Sequence, residues 1–292
     1  MKVCDFGSIN IDYVYEMNHF VKPKETIACL STKTNIGGKG LNQALACKKA
    51  GIDIHFAGKL GEDGLFIQEY LKEQGICTNL YMSENRTGHA IIQTCNGENC
   101  IIIAGGANQE INEEMIDEVL EPYDKGDILI LQNEISSMKY LMTKAYEKGL
   151  KIYFNAAPMD ESVFDYPLEY VDTLIVNEIE GKALSKCNAD DYDEILTALE
   201  NQYPKQSILM TVGKDGAFYS KNKERIFQKA FEVRAIDSTA AGDTFMGFFI
   251  SSIVHNYDIK KALAIAAKAS SITVTRAGAA MSIPFWDEVI NH

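Results

Sequence analysis

The chain is 292 residues long, 24% charged and 46% hydrophobic, with a formal net charge of −13, which fits one large soluble domain, or one with a small appendage, and a sizeable core. That acidity argues against a nucleic-acid partner but leaves room for an anionic nucleotide, which local dipoles and a few groups can hold. Seven cysteines, none in CxxC spacing, and no signal-like or bilayer-length apolar run point to free thiols, no membrane and a cytoplasmic protein.

In chain order, residues 2–6 read as a short buried strand, with Asp5 an ordinary strand residue without a role. Residues 7–12, GSINID, follow at once. Asn10 and Asp12 alternate, so an extended backbone points both the same way and offers a grip for two vicinal hydroxyls. A polar turn is the blander reading of the same residues. Residues 11–35 are β-rich and lack a helical period. Within 35–43, NIGGKGLNQ, a glycine-rich turn opens a helix that ends near residues 50–51. The spacing is neither a Walker A loop nor GxGxxG. The turn can present Lys39 and Asn42 to sugar hydroxyls; it also reads as a tight strand–helix turn with an exposed lysine. Residues 54–57 read as a strand and 61–74 as a helix. Residues 87–103 read as a hairpin turning at Asn96-Gly97. This hairpin and the 11–35 segment can form a small sheet outside the main one, which a cleft or a second subunit would cover, or can extend the main sheet's edge. Further strands fall at 127–131, 151–154, 173–176 and 207–212, and a helix at 136–148 ends at Gly149. Strands alternating with helices predict a mostly parallel sheet covered on both faces. Residues 239–256 and 259–275 read as buried helices.

The stretch 237–245, DSTAAGDTF, carries the strongest chemical signal. Small residues at Ala240, Ala241 and Gly242 let a ligand approach the backbone, and an apolar helix follows at once. Free N–H groups and the positive dipole end at such a start form an anion site suited to phosphoryl transfer. Asp243 in the first turn can accept the proton of an attacking hydroxyl. Taken alone, Asp243 is more commonly an acidic residue favoured by the helix dipole; the small residues before it and the glycine-rich turn at 35–43 favour the chemical role.

Taken together, GSINID, GGKGLNQA, NAAP, NEIE, TVGKDG, DSTAAGDTFMG and VTRAGAAMSIP occur in the order found in the ribokinase group of PfkB carbohydrate kinases. The chain resembles that family over nearly its whole length. The resemblance implies a three-layer α/β/α fold, with a central mostly parallel sheet and a small β-sheet lid. It implies a single domain over residues 1–292, with the lid at about 11–35 and 87–103, and a homodimer formed through that lid. Asp243 would be the general base, with Ala240, Ala241 and Gly242 framing the anion hole. Sugar contacts fall to Asn10, Asp12, Gly38, Lys39, Asn42 and Glu134, together with Asp243. ATP contacts fall to Asn177, Glu180, residues 211–216 (Thr211, Gly213 and Gly216 among them) and Gly242. Glu178 and Glu180 would act through Mg2+ and water, although Asn177 also reads as a helix N-cap. The resemblance places potassium at Asp237, Thr239, Thr273, Arg276, Gly278 and Ser282, several through backbone carbonyls. A brace between Asp237 and Arg276 is the structural alternative.

Three positions depart from the family pattern: Ala267 and Lys268 near the adenine, His89 in the hairpin, and Met246 in GDTFMG. His89 either faces the cleft and alters sugar choice or faces solvent. The expected activity is ATP-dependent phosphorylation of a sugar hydroxyl, the 5-hydroxyl of D-ribose first. A related acceptor (deoxyribose, a ketohexose, a sugar acid or a nucleoside) and a non-catalytic sugar sensor are the competing readings. No HxH or HExxH spacing supports a metal-dependent hydrolase.

Overall fold

A computed structural model of the chain describes residues 1–291. Its main sheet is built from β1 (Val3–Phe6), β4 (His55–Gly61), β5 (Cys77–Ser83), β8 (Ile128–Gln132), β9 (Lys151–Asn155), β10 (Thr173–Asn177), β11 (Ser207–Thr211), β12 (Gly216–Lys221) and β13 (Glu224–Lys229). Their spatial order is β13–β12–β11–β10–β9–β8–β1–β4–β5. The strands from β11 to β5 are mutually parallel, and β12 and β13 form an antiparallel hairpin at one edge.

Helices cover both faces, as a parallel sheet requires. On one face lie α1 (Lys39–Lys49), α2 (Leu65–Glu73), α7 (Ala241–Val254), α8 (Ile259–Thr273) and α9 (Trp286–Ile290). On the other lie α3 (Glu113–Leu120), α4 (Met138–Glu147), α5 (Glu178–Ser185) and α6 (Tyr192–Gln202). The period-2 alternation of the strands sorts the core accordingly. Val3, Ile128 and Ile130 pack toward α1 and α7, whereas Cys4, Phe6, Leu129 and Leu131 pack toward α3 and α4. Fully burying one of the large apolar side chains contributes about 1.5–3 kcal/mol. By the same alternation, Asp5 and Gln132 fall on the face of α1 and α7. Those two helices approach closely: a Cβ at Gly247 would lie 2.4 Å from the Ala46 Cβ.

A second sheet stands apart from the first. It comprises β2 (Asn10–Glu16), β3 (Ser31–Gly37), β6 (Gly88–Cys95) and β7 (Glu98–Ala104), in the order β3–β2–β6–β7. The central pair is parallel and the outer pairs are antiparallel. The two helix-free segments therefore do not extend the main sheet's edge. Asn96 and Gly97 join β6 to β7 with φ of 50° and 84°, the positive values a two-residue hairpin turn needs.

Several elements escaped the sequence pattern. β5 is an edge strand without an apolar run, and the β12–β13 hairpin turns at Asn222-Lys223, which carries no glycine. α7 begins at Ala241, two residues later than the composition suggests, because Ala240 adopts a left-handed N-cap conformation. Among the described residues, no helix is long and apolar enough to cross a membrane.

Candidate functional site

Lys39, Asn42, Glu134, Glu180 and Asp243 gather where the C-terminal ends of β1, β8 and β10 meet the starts of α1, α5 and α7. The first strand ends in Gly7-Ser8, against which the start of α1 packs backbone to backbone. A Cβ at Gly40 would lie 2.5 Å from the Gly7 Cα and from the Ser8 nitrogen, and one at Gly38 would lie 2.7 Å from the Ser8 carbonyl oxygen. Gly38 also has φ of 100°, a left-handed conformation open to glycine. Only glycine fits both positions, so GGKG is a close-approach device that brings Lys39 over the end of β1.

Hydrogen bonds fix this junction. The Leu41 amide donates to the Ser8 carbonyl (3.1 Å), and the Gly40 amide donates to the Ser8 hydroxyl (3.3 Å). The Ser8 hydroxyl in turn donates to Glu134 Oε2, which also accepts from the Lys39 amide at 3.0 Å. Glu134, two residues beyond β8, is thus tied to the start of α1. Asn108 pins the crossover from β1 to β2. It accepts from the Ile9 amide (3.0 Å) and donates to Ile9 O (3.1 Å) and Asn10 Oδ1 (2.9 Å).

Asp243 lies in the first turn of α7 and is only 7% exposed. Its Oδ2 accepts from Asn42 Nδ2 at 3.3 Å and its Oδ1 from Gln43 Nε2 at 2.9 Å, so α1 orients the carboxylate. No side chain caps α7. The Ala241 amide donates to Ser238 O, whereas the amides of Gly242 and Asp243 have no protein acceptor among the described residues. A Cβ at Gly242 would meet nothing within 4 Å, so those free amides border open space.

Charge is concentrated here. Burial works against the Lys39 ammonium, but the surrounding carboxylates of Asp243, Glu134 and Glu180 outweigh it and raise its pKa. Asp12, 8% exposed on β2, is pushed up to about 7 by burial and then by the charge of Glu134. Burial also raises Glu180, against the Asn177 amide and the Lys39 charge. Asp12 further lines a cleft of about 960 Å³ between the second sheet and the 235–239 and 277–279 loops.

At the end of β10, Asn177 is the N-cap of α5 in a reciprocal capping box. Its Oδ1 accepts from the Glu180 amide and Glu180 Oε2 accepts from the Asn177 amide, each at 2.8 Å. That leaves Asn177 Nδ2 and Glu180 Oε1 available. Thr211 pairs with Asn177 across the β10–β11 ladder. Gly216 (φ 135°) is dictated by packing, since a Cβ there would lie 2.1 Å from the Gln228 carbonyl oxygen, while Gly213 (φ 52°) faces open space. Lys268 lies over the Phe231 ring at 5.2 Å, and Ala267 is buried beside it in α8.

The loops at 236–239 and 274–278 are tied together through Asp237. Its Oδ2 accepts from the Gly278 amide at 2.9 Å, and its Oδ1 accepts from the Thr239 amide and hydroxyl at 2.9 and 2.6 Å. Burial opposes, but these donors outweigh it and hold Asp237 below the usual carboxylate range. Arg276 does not brace Asp237: its guanidinium grips Glu288 through contacts of 3.0–3.3 Å. The Thr273 hydroxyl donates to Thr244 Oγ1 at 3.1 Å and the Ser282 hydroxyl to Ala279 O at 2.7 Å. Among the described residues, no three His, Cys, Asp or Glu side chains are grouped so that they could hold a metal ion.

The register of β2 and β6 decides which face His89 takes. This residue is in register with Ile11, so it shares the face of Ile11 and Tyr13, opposite to Asn10 and Asp12, and packs edge-on against Tyr13 at 6.1 Å. It therefore does not line the cleft. The sequence reading also missed Ser8, Gln43, Asn108, Gln132 and Asp5. Gln43 stood inside a quoted motif; Gln132 and Asp5 carried only the signal of a polar residue within an apolar strand.

Comparison with known proteins completes the description. A model of the pfkB family carbohydrate kinases matches residues 1–286. A ribokinase of Haemophilus influenzae is 33% identical over 294 residues, covering 97% of this chain and 95% of that protein. A crystal structure of ribokinase from Cryptococcus neoformans in complex with ADP superposes with a TM-score of 0.86 at 31% identity, covering 99% of both chains. The structure of Arabidopsis thaliana ribokinase complexed with ribose and ATP gives a TM-score of 0.86 at 27% identity, covering 99% of this chain and 97% of that one.

Proposed function

The chain belongs to the pfkB family of carbohydrate kinases, and on that premise we propose that it transfers the γ-phosphoryl group of ATP to the 5-hydroxyl of D-ribose, with Asp243 as general base. One observation carries the reading: an oriented, buried carboxylate lies beside two unpartnered amides at a helix start, within reach of the Lys39 charge. The relatives named for ribose and ATP support the choice of substrates.

In this mechanism Asn10, Asp12, Glu134 and Asn42 receive the sugar hydroxyls at the ends of β1 and β8. Asp243 keeps lone pairs free besides those used by Asn42 and Gln43, and takes the proton as the 5-oxygen attacks in line. The amides of Gly242 and Asp243, with Ala240 and Ala241 shaping the turn, stabilise the phosphoryl oxygens. Lys39 places a positive charge between Asp243 and Glu180, where the phosphate chain would run. Asn177, Glu180, Thr211, Gly213 and Gly216 border the nucleotide. Glu180 Oε1 and Glu178 would meet the water shell of a Mg2+ ion bound with the nucleotide, which would supply charge neutralisation on the phosphates. The end of α8 and the loops carrying Asp237, Thr239, Arg276, Gly278 and Ser282 offer carboxylate, hydroxyl and carbonyl oxygens, Thr273 among them, which suit potassium, and Glu288 holds the Arg276 charge to itself.

The second sheet acts as a lid that excludes water during transfer. Its outer face presents Ile91 and Ile102, 38% and 63% exposed, to the lid of a second copy. Light scattering of Ile102→Lys should then report the monomer mass; an unchanged dimer would refute this contact.

A coupled ADP-release assay across D-ribose, 2-deoxyribose, fructose, a sugar acid and a nucleoside tests the proposal. D-Ribose should give the highest kcat/KM. A different leading sugar would overturn the substrate, and no stimulation by any sugar would favour the sensor reading.

A further inference from the structure

Behind Asp243 a line of buried polar side chains crosses from α1 to the centre of the main sheet. Gln43 Nε2 donates to Asp243 Oδ1 at 2.9 Å, Gln132 Nε2 donates to Gln43 Oε1 at 2.8 Å, and the same Gln132 nitrogen donates to Asp5 Oδ1 at 3.0 Å. Gln43 and Asp5 are fully buried and Gln132 is 1% exposed. Apolar residues at these positions would seem the simpler choice, since buried polar groups cost free energy unless paired. Asp5 Oδ2 and Gln132 Oε1 have no donor among the described residues, so the line is retained at a cost.

The order of atoms gives the line a direction. Asp5 Oδ1 and Gln43 Oε1 are both acceptors, so the Gln132 nitrogen must face them. With its oxygen occupied by Gln132, the Gln43 amide can only turn its nitrogen toward Asp243. Each amide thus fixes the orientation of the next, and the last one donates to the carboxylate. Amide donors favour the charged form of a carboxylate, and a fixed partner restricts its rotamer. The groups facing Asp243 are Asn42 and Gln43 from α1, Lys39 at the start of α1, Glu180 from α5 and Asp5 from β1. Burial, against the Gln132 donor and with the nearby Asp243 charge, pushes Asp5 well above the usual carboxylate range.

We infer that Gln43 and Gln132 are positioning residues, forming an amide ladder anchored on Asp5 that orients the Asp243 carboxylate and donates to its charged form. The inference rests on the proposed role of Asp243 and extends it to three residues that touch neither sugar nor nucleotide.

The test is the pH profile of kcat for Gln43→Met and Gln132→Met, with Asp243→Asn and thermal stability measured alongside. Gln43→Met should lower kcat roughly 30-fold and move the acidic limb up by about one pH unit, with the sugar KM within about threefold of wild type. Gln132→Met should move both in the same direction by less, about fivefold and a few tenths of a unit, because it only releases the orientation of Gln43. A packing role alone would change stability and leave the acidic limb in place. An unmoved limb in Gln43→Met, with Asp243→Asn inactive, overturns the ladder and spares the proposed function. If Gln43→Met does not fold, the limb of Gln132→Met decides by the same criterion. Substantial activity in Asp243→Asn would instead overturn the proposed function itself.

Discussion

The floor of the cleft and the sheet that stands over it are built on opposite terms. On the floor, Gly7, Gly40 and Ser8 touch backbone to backbone, and Asp243, Asn42 and Gln43 are buried and bonded to one another. In the second sheet, β7 is exposed along nearly all of its length, and three consecutive isoleucines, Ile101 to Ile103, lie 48–63% open. A transfer reaction needs its reacting groups held to within a fraction of an ångström, which over-determined packing supplies. A cover that opens, or meets a second copy, needs few buried contacts and an apolar face in reserve. Under the proposed function the chemistry would fall to the floor and the control of access to the sheet above.

The largest expected effect is on the floor. Asp243→Asn should lower kcat by about a thousandfold or more, roughly 4 kcal/mol, while the sugar KM stays within about threefold. Steady-state kinetics reads both, and a variant with near-normal turnover would break the assignment. Next come two glycines that sharpen the comparison. Gly40→Ala forces a Cβ into the Gly7 backbone and should cost about 3 kcal/mol or more in urea unfolding. Gly97→Ala, in the β6–β7 turn, meets no atom within 4 Å and should cost only about 1 kcal/mol from its positive φ.

Asp12 bridges the two regions and gives a pH-dependent test. Burial raises its carboxyl to about 7, so the fold holds a proton that the unfolded chain has already released. Stability from this group is therefore greatest at low pH and declines as pH rises from the ordinary carboxylate range to about 7, levelling off above. Asp12→Asn removes the decline. At pH 8 the variant should be more stable than wild type by on the order of 4 kcal/mol, and near pH 3.5 the difference should vanish. The sugar KM should rise, because the variant loses an acceptor. Equal gains at both pH values would show that Asp12 is not held protonated by its surroundings.

Much of this architecture was legible in the chain. The alternation of apolar strands with helices dictates a covered parallel sheet, and Asn96-Gly97 dictates the hairpin. The floor announced itself through GGKG and AAGD, because close backbone approach leaves glycine and alanine as a trace. The ladder left no such trace. Asp5, Gln132 and Gln43 are far apart in sequence, and only the β1–β8 pairing and the register of α1 bring them into line. His89 was ambiguous for a related reason: its face depends on its register with Ile11, which the hairpin alone does not set. The capping box at Asn177 shows a residue satisfying a structural rule while keeping its Nδ2 free for another partner.

The most direct test is 31P NMR of the products formed from ATP and D-ribose by the wild-type protein and by Asp243→Asn. The account predicts a new phosphomonoester resonance coupled to the two C5 protons with the wild-type protein, and none on the same timescale with the variant. A phosphomonoester at another carbon, or equal product from both proteins, would contradict it.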